Sequence, residues 1–142
     1  MITYIYERFA HLVGWDSAQL NTKKLEEYAA AIYSKGASLD CAAGSIDGTL
    51  REICWPKKNQ RVVYSGHKRK HGLKYQSIVA PDGIILHMFG LIAGSHHDSY
   101  VLLESKILQK LVVQLKRNGH QFFLYGDTAY GIPLCALYLE TF

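Results

Sequence analysis

The feature that most constrains this chain is a pair of strand-like runs, Leu73 to Ala80 and Ile84 to Ile92, joined only by Pro81-Asp82-Gly83. Proline presets φ at about −65°, and glycine accepts the positive φ that a tight reversal needs. The three residues therefore fold the two runs back on each other as a β-hairpin. An isolated hairpin is marginal in water, so the remainder of the chain must supply further strands and a covering layer.

That layer is legible on both sides of the hairpin. Ile2, Ile5, Phe9, Leu12 and Val13 are at helical spacing before Gly14. Leu25, Tyr28, Ala29, Ile32 and Tyr33 repeat the pattern between a capping Asn21 or Thr22 and a terminating Gly36. From about Leu39 the character changes. Cys41 to Ile53 reads as a strand interrupted at Asp47-Gly48, and Val62-Val63-Tyr64 reads as a short β-branched run. After Gly94-Ser95-His96-His97-Asp98, the positions Val101, Leu102, Ile107, Leu108, Leu111, Val112 and Leu115 predict one long helix. It would end at Asn118-Gly119, with Lys116 and Arg117 in its last turn, where cations favour the helix dipole. Gln121 to Tyr125 is an aromatic-rich strand leading into Gly126-Asp127, and Ile132 to Leu139 opens another helix. The order predicts an α/β fold with a mixed sheet: helical lead-in over 1–38, then an α/β domain over 39–142.

Composition narrows the class. With 142 residues, 49% hydrophobic and 20% charged, the chain has the make-up of one ordinary globular domain or part of one. No run approaches the roughly 18 apolar residues of a membrane span, and Glu7 and Arg8 interrupt the start where a signal peptide would be apolar, so a soluble intracellular protein is expected. Cys41, Cys54 and Cys135 are odd in number and contain no C-x-x-C pair, which points to buried free thiols. The net charge of +4 is unevenly placed. Arg51, Lys57, Lys58, Arg61, Lys68, Arg69, Lys70 and Lys74 face only Glu52 within that segment, leaving it at +7 and the rest at −3. Such a local excess is either a solvated face or the footprint of a polyanion.

Two acids are placed where chemistry is possible, Asp47 in the first strand region and Asp127 at the end of the fourth. If those strands are parallel neighbours in a mixed sheet, both carboxylates can reach one hard cation such as Mg²⁺, which takes oxygen ligands. Asp47-Gly48 and Gly126-Asp127 are equally good turn sequences, in which the side chain bonds its own backbone. Asp98 has a similar double reading: an N-cap of the following helix, or, with His97, a border of the same cleft orienting a metal ligand. Tyr64 and Tyr75 are expected to pack in the sheet.

From Ser45 to Tyr130 the chain resembles the catalytic domain of PIF/Harbinger-type transposases and their domesticated nuclease relatives, within the DDE superfamily endonucleases. The resemblance is carried by Ile46-Asp47-Gly48-Thr49, Tyr64-Ser65-Gly66-His67-Lys68-Arg69-Lys70-His71-Gly72-Leu73-Lys74-Tyr75-Gln76, Pro81-Asp82-Gly83, Gly94-Ser95-His96-His97-Asp98-Ser99 and Gly126-Asp127-Thr128-Ala129-Tyr130, in that order. It implies a ribonuclease H-like fold, Asp47 and Asp127 as catalytic ligands of Mg²⁺ or Mn²⁺, DNA as substrate and a nuclear location. A separate DNA-binding subunit is a further possible partner. The third carboxylate of such sites, a glutamate after a fifth strand, has no counterpart. Only 15 residues follow Asp127, and Glu140, the sole acid among them, falls on what would be the preceding helix. The resemblance therefore implies a domain incomplete at its C-terminus.

Lys68, Arg69, Lys70 and Lys74 are expected to contact the phosphate backbone without reading bases. Two functions follow, a metal-dependent phosphodiester hydrolase of transposase type, or a transposon-derived nucleic-acid-binding module without a working site.

Overall fold

The computed structural model describes residues 3–4, 7–9, 21–110, 116–117 and 120–130. Of the first predicted helix, the described residues 3–4 and 7–9 are helical; Cys135 and the helix expected over 132–139 lie outside the described residues.

Helix α1 spans Thr22–Ser34 and starts as its sequence dictates, with the Asn21 side chain accepting the Lys24 backbone N–H at 2.9 Å. Beyond its end, Gly36 takes a positive φ of 95°. Strand β1, Ala42–Glu52, runs unbroken through Asp47-Gly48, against the expected interruption. Its backbone groups there are paired on β3, Lys70–Val79, with Asp47 opposite Ser77 and Gly48 opposite Gln76, so the ladder overrides the local turn preference.

The hairpin forms as predicted, β3 returning as β4, Ile85–Ala93. At its tip Gly83 has φ 85°, and its N–H donates to the Ala80 carbonyl at 2.9 Å. Asp82 holds the turn twice: one carboxylate oxygen accepts the Ile84 N–H at 3.1 Å and the other accepts the Tyr28 hydroxyl at 2.9 Å, tying the tip to α1.

Other local expectations yield to context. Gln60–Val63 is a single helical turn, α2, and only Tyr64–Ser65 is strand, β2. Asn59 in the left-handed region starts that turn, with its carbonyl accepting the Val62 N–H at 3.0 Å, and this overrides the β-branched preference. The long helix is divided. Helix α3 covers Asp98–Glu104, Lys106 adopts a φ of 52°, and residues 107–110 are helical again. Ser105 makes the break: its hydroxyl donates to the Leu102 carbonyl at 2.7 Å and accepts the Ile107 N–H at 3.3 Å.

Lys116–Arg117 is not a last helical turn but strand β5, paired antiparallel with β6, His120–Gln121. Asn118-Gly119 between two short runs is a hairpin signal as much as a helix stop. Strand β7, Phe123–Gly126, then pairs parallel with β1, and a 3₁₀ turn covers Thr128–Tyr130.

The result is a mixed five-stranded sheet in which β3 carries β2 and β4, β1 lies beside β3, and β7 lies beyond β1. Its core joins Ile46, Ile78, Leu86 and Leu124 to Leu25 and Tyr28 of α1 and to Leu102 and Ile107. Each large side chain so buried contributes about 1.5–3 kcal/mol. The lead-in helix is thus packed into the same core as the sheet. Tyr75 packs in the sheet as expected, its ring lying against Gly90 of β4, but Tyr64 is substantially exposed because the two-residue β2 leaves it little to pack on. The thiols among the described residues are not buried either: Cys41 is half-buried and Cys54 exposed. Among the described residues no helix is long and apolar enough to cross a membrane.

Candidate active site

Alternation along β1 buries Ile46 and exposes Asp47. In the parallel pairing with β7, Ile46 is opposite Gly126 on strands about 4.8 Å apart, so Asp47 on β1 and Asp127, the first residue past β7, directly follow that pair. Both carboxylates line one cleft of about 560 Å³ at the C-terminal end of β7. Asp47 also makes the bond to its own backbone that its turn-like sequence suggests, accepting the Gly48 N–H at 2.8 Å. The Asp127 carbonyl accepts the Tyr130 N–H at 3.2 Å and starts the 3₁₀ turn. Among the described residues, no group of three or more His, Cys, Asp or Glu converges as a metal-binding cluster.

Asp98 is not an N-cap. His97 occupies that position without a side-chain capping bond, and Asp98 is the first helical residue. Its carboxylate is drawn into the cleft by Lys74, whose Nζ donates to Oδ1 at 2.8 Å. The two side chains are only 14% and 26% exposed, so water screens this pair far less than an ordinary surface bridge. The arrangement depends on Gly48, because a Cβ there would lie 2.8 Å from Asp98 Oδ1 and 3.3 Å from the Tyr130 hydroxyl.

Tyr130 is buried, and its hydroxyl has no hydrogen-bond partner among the described residues. Burial, followed by the charges of Asp98, Asp47 and Asp127, holds its pKa above the usual tyrosine range. The phenol therefore stays protonated, in the wall of the cleft that the three aspartates also line. Sequence reasoning did not find Tyr130 or the Lys74–Asp98 pair. A signal for the pair was present: Lys74 shares the strand phase of Gln76 and Ile78, both fully buried, where an unpaired lysine would be costly.

The four basic residues separate into different settings. Lys68 lines the cleft, and Arg69, in the left-handed region with φ 53°, is exposed on the turn before β3. Lys70 reaches Glu52 at 2.7 Å in an exposed ion pair, while Lys74 points inward to Asp98. A second cleft of about 450 Å³ continues from Asp47 along β1 to Glu52, bordered by Lys68 and Lys70. His97 is exposed at the rim of the main cleft.

Residues 46–137 match the family model for the DDE superfamily endonuclease, about two-thirds of the chain, a span that includes both cleft carboxylates, Asp47 on β1 and Asp127 just beyond β7. The chain belongs to the DDE superfamily endonucleases. No curated protein and no solved structure matches it. In this DDE endonuclease domain the matched region begins at Ile46, one residue before Asp47, and extends past Tyr130, so it takes in the cleft residues of β1, β3, α3 and the 3₁₀ turn.

Proposed function

We propose that this domain hydrolyses phosphodiester bonds in DNA, with Asp47 and Asp127 together holding a divalent cation. The observation that carries the proposal is the parallel register of Ile46 with Gly126, which makes the two aspartates neighbours at one end of the sheet. Two carboxylates beside each other in an open, basic-rimmed cleft suit Mg²⁺ or Mn²⁺, hard ions that bind through one or two carboxylates and leave room for water and phosphate. Such an ion supplies electrophilic stabilisation of charge on the phosphate during displacement. The protein's own part is to hold those carboxylates in place, to steer the strand with Lys68 and Arg69, and to keep Asp98 fixed on Lys74 beside them. His97 and Asp98 would then act by orienting groups in the cleft.

We assign the domain to the PIF/Harbinger-type group on the motifs from Ile46 to Tyr130. We also assign it a ribonuclease H-like arrangement, supported by the strand order β4-β3-β1-β7 with only β7 parallel to β1. A nuclear location follows from that assignment. The test is supercoiled-plasmid nicking in Mg²⁺ and Mn²⁺, beside Mn²⁺ binding followed by electron paramagnetic resonance. Mn²⁺ binding should be present in the native chain and lost in Asp47→Asn and Asp127→Asn, and whatever nicking the native chain shows without a third carboxylate ligand should be lost with it. Nicking that survives either substitution would refute the assignment. DNA binding with neither nicking nor Mn²⁺ binding would instead leave a non-catalytic binding module.

A further inference from the structure

The most exposed large apolar side chain on the described surface is Trp55, at 78%. A single exposed apolar residue is ordinary, but this one is part of a built group. The chain leaving β1 is anchored by the Ile53 N–H, which donates to the His71 carbonyl at 2.9 Å. Two residues later, the Trp55 indole lies against the His71 ring, with centroids 5.3 Å apart and planes at 49°. His71 is itself buried and is contacted by the Tyr64 ring of β2 at 5.1 Å. The indole is thus backed by aromatic side chains while most of its surface faces outward.

The charge around this group selects its partner. Lys57, Lys58 and Arg61 follow Trp55, Arg69 and Lys70 precede His71, and all five are exposed, against Glu52 as the only acid between positions 51 and 74. An apolar protein surface seated here would have to desolvate those cations, whereas a nucleic-acid strand neutralises them. Bases within a duplex are already stacked on each other, and an indole can receive a base face only from an unpaired nucleotide.

Position relates this group to the cleft. Asp47 is opposite Ser77, and Ser77 lies six positions along β3 from His71, roughly 20 Å at about 3.3 Å per residue. At about 3.4 Å of rise per nucleotide, that is roughly six nucleotides of B-form strand, and fewer if the strand is stretched. The 450 Å³ cleft from Asp47 to Glu52 and Lys70 covers the intervening surface.

We propose that Trp55, backed by His71 and Tyr64, is a stacking platform for an unpaired base of a DNA strand that runs along β1 toward Asp47. This rests on the proposal that DNA is the substrate, and extends it to single-stranded or locally melted DNA. The experiment uses the full chain in a Trp15→Phe background, where Trp55 is the only indole. Oligothymidylate and a long, fully base-paired linear duplex serve as probes, and circular dichroism confirms the fold of each variant.

Oligothymidylate should quench Trp55 fluorescence. Against the native chain, Trp55→Ala should weaken oligothymidylate binding by about 5- to 150-fold, the equivalent of one lost base stack. Trp55→Tyr should retain most of the affinity, and duplex binding should change little. The dependence of log affinity on log salt should be the same in Trp55→Ala as in the native chain, since no phosphate contact is removed, but shallower in Lys68→Gln/Arg69→Gln. Unchanged oligothymidylate affinity in Trp55→Ala, with weakened binding in the lysine and arginine variant, would overturn the platform and leave the DNA proposal standing. Equal weakening for both probes would assign Trp55 a structural role and also overturn it. Absence of binding to either probe would overturn both proposals.

Discussion

Substituting Gly48 by alanine tests whether the cleft is organised around the Lys74–Asp98 pair. Gly48 is not among the glycines with positive φ, so its backbone accepts a side chain, and an ordinary strand glycine replaced by alanine gains about 0.4–1 kcal/mol. Here the new Cβ would lie 2.8 Å from Asp98 Oδ1 and 3.0 Å from its Cγ. To reach ordinary contact the carboxylate must retreat by about half an ångström. That stretches the 2.8 Å bond from Lys74 beyond the usual N–H···O range of about 2.7–3.2 Å. A hydrogen bond to a charged group contributes about 1.5–3 kcal/mol, so after the backbone gain the net effect should be a destabilisation of about 1–2 kcal/mol. Urea unfolding of Gly48→Ala, Asp98→Ala and the double variant measures this. In the Asp98→Ala background the carboxylate is gone, and the alanine at position 48 should become neutral or stabilising, giving a coupling of about 1.5–3 kcal/mol between the two sites. A higher urea midpoint for Gly48→Ala alone, or an equal loss in both backgrounds, would refute the reasoning.

Three further outcomes follow from the same structure. Lys68→Gln/Arg69→Gln should reduce the slope of log affinity against log salt by about 1.8, at roughly 0.9 per lost phosphate contact, while Lys74→Gln should lower stability more than it changes that slope; titration at several salt concentrations checks both. Burial, aided by Lys110, pushes buried His87 down to about 4, so the native state disfavours the protonated ring: its contribution is complete above about pH 6.5 and is lost as pH falls toward 4, by up to about 1.4 kcal/mol per pH unit, and unfolding of His87→Gln should lack that slope. Burial and the bond to Asp82 raise Tyr28 to about 12, so the stability it confers is complete below about pH 10 and is lost as pH rises to 12; tyrosinate absorbance should show a late-titrating group near pH 12 that disappears in Tyr28→Phe, while the later-titrating Tyr130 is retained.

The sequence by itself determined those elements whose signals are local. Asn21 and Gly36 bound α1, and Pro81-Asp82-Gly83 sets the hairpin, because a cap or a turn is decided by a few neighbouring residues. The two candidate carboxylates were also legible, as acids at strand positions in motifs shared with one family. Local signals misled where a longer-range partner was stronger. Pairing on β3 carried β1 straight through Asp47-Gly48, the Ser105 hydroxyl broke the long apolar helix, and Lys116–Arg117 paired with His120–Gln121 instead of ending a helix.

What the tertiary structure alone decided is which side chains meet. Asp47 and Asp127 become neighbours through a parallel pairing that closes over the hairpin and α3, a register no local pattern specifies. Lys74 reaches Asp98 across from β3 to α3, and the absent side chain of Gly48 makes the room. Trp55 finds His71 only because β1 and β3 are aligned residue for residue. Periodicity records which face of an element is apolar, and that follows from burial alone. The meeting of particular polar groups depends on strand order and register, which are set by the packing of the whole core.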